Sequence, residues 1–174
     1  MDFNHLLSQH LNRSDMLGIV NYIGNDQHRF DVLFELFCYG PPRIAQRASW
    51  LVSNCVERHP LLIANQYDGL LDMLENPTHA AIKRNAVRLL TFIEIPTRWQ
   101  GPIYEKCFQL AHSPEEAIAL RSFSLKVLFN IAKDHPDLLV ELDELLHDCA
   151  QSDSPGILSR IRNLRKAIEK IRGD

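Results

Sequence analysis

The residues of this 174-residue chain with the best claim to chemistry are its eight histidines and four cysteines. Their spacing argues against it. His5, His10, His28, His59, His79, His112, His135 and His147 form no HxH pair and no HExxH motif, the spacing that sets two imidazoles on one helix face around zinc. His147, Asp148 and Cys149 are consecutive on an expected helix, so they point in different directions and make a poor metal site. Cys38, Cys55, Cys107 and Cys149 are scattered, with no CxxC pair. Three of them sit in apolar helical context, which suits a buried free thiol. No GxSxG, Walker loop or GxGxxG is present. His59 and His135 each stand before a proline at matching places in the chain, which suits a helix end. The carboxylates crowded into 137–148 read as a solvated acidic face. No catalytic residue, metal or cofactor is expected.

Arginine behaves differently. Arg47, Arg84 and Arg121 stand 37 residues apart and open the related stretches "RASWLVSNC", "RNAVRLLTF" and "RSFSLKVLF". Tyr67 and Tyr104 repeat at the same distance, as do Pro77 and Pro114. Such a period marks a repeat built from one supersecondary unit. Each unit holds two helices. In the first, an apolar stripe recurs four times: Ile44, Ala48, Leu51, Cys55; Ile82, Ala86, Leu89, Ile93; Ile118, Ser122, Leu125, Phe129; and Ile157, Ile161, Leu164, Ile168. Pro60, Pro96 and Pro136 follow these helices and mark the start of the next, since a first-turn residue has no N–H bond to lose. Phe30, Leu33, Phe34 and Phe37 fall one period before Tyr67, Leu70, Leu71 and Leu74. That places a second helix over 26–39. A short helix over 15–24, with Asp15 as its cap, and a terminal helix within 2–11 complete about ten.

The totals agree with an all-α chain: seven glycines, 45% apolar and 24% charged residues. Length favours a single domain. No apolar run approaches the roughly 18 residues of a membrane span, and the first residues lack a secretory pattern, so a cytoplasmic location is expected.

The stretch "NPTHAAIKRNAVRLL" (76–90) resembles the turn and second helix of a HEAT repeat, and "QRASWLVSNCVERHP" (46–60) is similar to the armadillo variant. The resemblance, closest to small bacterial HEAT-like chains, implies a right-handed α-α superhelix of about four helix pairs. It divides the chain into an irregular repeat (1–40), three repeats (41–77, 78–114, 115–153) and a capping helix (154–174). It also implies that the helices over 41–58, 78–94, 115–133 and 154–172 line the concave side. Ile44, Leu51, Ile82, Leu89, Ile118, Leu125, Ile161 and Leu164 are expected in one continuous core.

Charge sorts by helix. Those four first helices carry +2, +2, +1 and +5, while their partners over 26–39, 60–75, 99–112 and 136–151 carry −2, −3, 0 and −5. Pairing across the two layers would explain the sorting. It would not explain why Arg43, Arg47, Lys83, Arg84 and Arg121 lie in the first halves of their helices, where the dipole disfavours cations by roughly 0.3–1 kcal/mol. Either neighbouring acids or a ligand must offset that. The candidate binding groove is therefore Arg47, Trp50, Arg84, Arg88 and Arg121, with Trp50 alternatively packed under the amino-terminal helix. The expected partner is an acidic peptide or protein surface. Nucleic acid is the second possibility, because the alkylpurine glycosylases resemble this arrangement; the sequence pI of 6.2 weighs against it.

Overall fold

A computed structural model describes residues 2–151 and 154–173. Among them are ten α-helices, one 3₁₀ turn and no strand, and no helix is long and apolar enough to cross a membrane. The chain divides into two compact units, Met1–Ile93 and Glu94–Asp174. The division falls inside the expected repeat 78–114.

The first unit holds α1 (Phe3–Ser8), α2 (Arg13–Ile23), α3 (Gln27–Tyr39), α4 (Pro42–Arg58), the 3₁₀ turn Pro60–Ile63, α5 (Tyr67–Glu75) and α6 (Ala80–Leu90). Side-chain caps set several starts. Asn12, not Asp15, caps α2: its side chain accepts from the Asp15 N–H at 2.9 Å, and the Asp15 carboxylate accepts from the Asn12 N–H at 3.0 Å. This reciprocal box starts the helix earlier than expected. Asp26 caps α3, and the His79 Nδ1 caps α6 by accepting from the Ala81 N–H.

The helix expected over 60–75 is broken. Pro60 opens a 3₁₀ turn, and Ala64–Gln66 separate it from α5. The break is held by Asp31 on α3, whose Oδ1 accepts from Gln27 at 2.8 Å and from Gln66 at 2.7 Å, while Gln27 also donates to the Leu62 carbonyl. α5 comes close to α3 at Gly69. A Cβ there would stand 3.0 Å from the Phe34 ring and 3.3 Å from the Cys38 sulfur, so any larger residue would have to push these side chains aside by a few tenths of an ångström.

The second unit holds α7 (Thr97–His112), α8 (Ile118–Ala132), α9 (Pro136–Cys149) and α10 (Pro155–Gly173). Here α8 is the central element: α7, α9 and α10 all pack on it. As expected from its nearly continuous apolar sequence, α8 buries Leu125 and Phe129 as well as Leu120, Val127 and Ile131, more than one amphipathic stripe would include.

Burial fixes the register of the repeat. Ile44, Ala48, Leu51 and Cys55 are buried, and so are Ile82, Ala86, Leu89 and Ile93, 38 residues on. A further 38 residues reach Leu120, Ser124, Val127 and Ile131, all buried. Then 37 residues reach Ile157, Ile161, Leu164 and Ile168, also buried. The stripe expected in α8 was two residues early. Ile118 is 52% exposed and is not a core residue; it opens the helix, before the first turn that packs. Leu125 and Phe129 are buried nonetheless, because α8 is covered on more than one side.

Candidate functional site

With apolar positions repeating at 38 and arginines at 37, each arginine is turned one residue, about 100°, around its helix relative to the one before. The three therefore meet different surroundings. Arg47 is half-buried, Arg84 exposed and Arg121 buried.

Two of them serve helix ends. The Arg47 guanidinium donates to the carbonyls of Leu7, at 2.6 Å, and Gln9 where α1 ends. The Arg121 Nε donates to the Ala111 carbonyl in the last turn of α7 at 3.0 Å. Arg29 does the same for α2, with Nη1 2.7 Å from the Tyr22 carbonyl and its guanidinium carbon 4.2 Å from the centre of the Tyr22 ring. The last carbonyls of a helix have no intrahelical partner and carry the negative end of its dipole, so a guanidinium satisfies both needs. For Arg47 and Arg121, the opposing element is thus a helix terminus, neither of the two partners expected from sequence. Sequence could not show this, because the backbone carbonyl that accepts from a capping side chain has no residue signature.

Arg88 is engaged otherwise. It donates to Ser53 at 2.7 Å and pairs with Glu57 at 2.5 Å, both on α4, and lies over the Phe92 ring. Of the ion pairs Arg29–Asp26, Arg88–Glu57, Lys133–Asp134 and Arg172–Asp143, the last alone joins a basic first helix to an acidic second one.

Arg121 is also the neighbour of Cys149. The thiol donates to the Ala111 carbonyl and receives the Arg121 Nη2 at 3.8 Å. Burial pushes its pKa up, against the opposing pull of Arg121. Burial likewise pushes Cys38, Cys55 and Cys107 up to about 12. All four are free thiols in settings that hold them protonated and unreactive at neutral pH. Among the described residues no group of three or more His, Cys, Asp or Glu is placed to hold a metal ion.

Arg84 and Arg43, by contrast, are exposed, and neither makes an ion pair or side-chain hydrogen bond with a described residue. They face a hollow of about 330 Å³ in the first unit, lined also by Met16, Gln46, Arg47 and Trp50. Trp50 is half-buried. It lines the hollow together with Met16 of α2. Below them Asn85 donates to the buried Ser49 hydroxyl at 2.9 Å, tying α6 to α4 and fixing the floor. Of the five expected residues, Arg47, Trp50 and Arg84 share this hollow, Arg88 lies outside its lining, and Arg121 belongs to the second unit. Arg43 joins them from the turn before Arg47.

The sequence profile of the HEAT repeat domain matches residues 3–168. No curated protein matches the chain.

Proposed function

The chain belongs to the HEAT repeat domain family, whose members are generally protein-interaction scaffolds, and from that premise we propose that it is a non-catalytic module binding an acidic segment of a partner protein at the hollow of the first unit. The observation that carries this reading is the pair of exposed, unpaired guanidinium groups of Arg43 and Arg84 beside Trp50. Arginine and tryptophan together are the composition of binding hot spots. An unpaired guanidinium offers a fork of donors that fits a carboxylate at two points, and the indole offers a flat apolar wall beside it. Arg47 sits in the same lining but spends its Nη1 on α1, so its part is to hold the floor and add positive potential.

Fluorescence anisotropy with a labelled octaglutamate peptide tests the reading. Charge reversal in the double variant R43E/R84E is expected to weaken binding at least about tenfold, the equivalent of one charge-assisted contact. Its melting temperature should stay within the small range of exposed substitutions. Unchanged affinity in that variant would overturn the proposal.

A further inference from the structure

By the 38-residue register, the position equivalent to Arg88 is Lys126. Arg88 has an acid facing it, Glu57. The residue 38 places after Glu57 is the buried, apolar Ile95, and Lys126 makes no ion pair with any described residue. Its charged neighbours are cations. The Lys126 Nζ stands 5.0 Å from the centre of the Phe129 ring. Arg160 reaches over from α10, its Nε donating to the Ser122 hydroxyl at 3.0 Å. Ser122 is one turn before Lys126 on α8, so hydroxyl, ammonium and guanidinium share one ridge. Burial, then the charges of Arg160 and Lys133, hold the Lys126 ammonium below the ordinary lysine range. Lys133 pairs with Asp134 at 4.0 Å, with both side chains largely in water.

We propose that Ser122, Lys126 and Arg160 form a second anion site, in the second unit, which takes a carboxylate from an acidic protein segment. Like charges gathered with no acid paired to Lys126 or Arg160 among the described residues repel one another, and an anion from outside relieves that repulsion. With its Nε on Ser122, Arg160 keeps both terminal amino groups for a two-point grip on a carboxylate. The Ser122 oxygen accepts from Arg160, which leaves the hydroxyl proton to donate. The Phe129 ring holds the ammonium in place as the third contact. The preference for a carboxylate rests on the function proposed above; the cation cluster does not depend on it.

Lys126 itself is the probe. The full chain is acetylated with an N-hydroxysuccinimide ester, with and without octaglutamate, and the rate at Lys126 is read by peptide mass mapping. A bound carboxylate raises the Lys126 pKa, and at a pH below it a rise of one unit slows labelling about tenfold. Slowing of that order is expected in the wild type and in R43E/R84E, and its loss is expected in R160Q. Protection at Lys126 that survives in R43E/R84E supports this site even if the first hollow proves not to bind. Absence of protection in the wild type, or equal protection in R160Q, overturns this site and leaves the first standing. Protection by inorganic phosphate but not by octaglutamate overturns the assignment to a carboxylate.

Discussion

A guanidinium in this protein is defined by where its helix turns it. Arg121 is buried, with the Ala111 carbonyl and the Cys149 sulfur around it. Replacing it with alanine leaves the buried Ala111 carbonyl with only the weak Cys149 thiol donor and opens a void, so Arg121→Ala should lower stability by about 2–4 kcal/mol in urea unfolding. Arg84→Ala, at an exposed side chain, should change it by about 0.5 kcal/mol or less. Equal effects at the two positions would contradict the assignment. The thiols add a pH dependence. Cys107 is 0% exposed, and its pKa is raised from 9.0 to about 12. The folded chain therefore holds a proton that the unfolded chain releases above pH 9. The thiol's contribution is fully present below pH 9 and is lost as pH rises toward 12. At pH 10 the loss is about 1 kcal/mol for this group. Melts of wild type and Cys107→Ala between pH 8 and 10.5 should show the shallower decline in the variant; parallel curves would sink the idea.

At the scale of the element, the register decides which side chains carry stability. Leu89 and Leu120 are 0% and 2% exposed, against 52% for Ile118. Leu89→Ala and Leu120→Ala should each cost about 2–5 kcal/mol, as other large-to-small core changes do, and Ile118→Ala well under half of that. Denaturant midpoints for the three variants check the order. α10 covers α8 with Ile157, Ile161, Leu164 and Ile168 and leaves Arg162, Lys166, Glu169 and Arg172 exposed. A helix with one apolar and one polar face can close a repeat stack, which needs a polar outer face for solubility. Deleting 154–174 should expose the apolar surface of α8 and cause aggregation, visible in light scattering. A soluble truncation of undiminished helicity in α7–α9 would show that the cap is dispensable.

Across the whole molecule, a net charge of −3 conceals the separation of basic first helices from acidic second ones. Charge of this kind acts on association rather than on fold. If carboxylates are recognised at the basic positions, raising salt from 0.1 to 1 M, which shortens the screening length from about 10 to about 3 Å, should weaken octaglutamate binding by more than about tenfold. Affinity independent of salt would mean that the contacts are apolar and centred on Trp50.

The sequence by itself determined the all-helical repeat, the apolar faces of α4, α6 and α10 and the family, since a period near 37 with stripes at helical spacing depends only on residue type and order. Prolines 60, 96 and 136 fell at helix starts because a pyrrolidine ring fits there whatever packs nearby. Tertiary structure decided the register and the fates of the arginines. A one-residue difference between the 37-residue arginine spacing and the 38-residue apolar spacing is invisible in amphipathic patterning when α8 is apolar on nearly every side, yet it rotates a side chain about 100°. That rotation buries Arg121 and leaves Arg84 in solvent. It also makes Lys126 the counterpart of Arg88. The groups that hold Arg47 and Arg121 are backbone carbonyls, which every residue carries; only the approach of one helix end to another helix selects them.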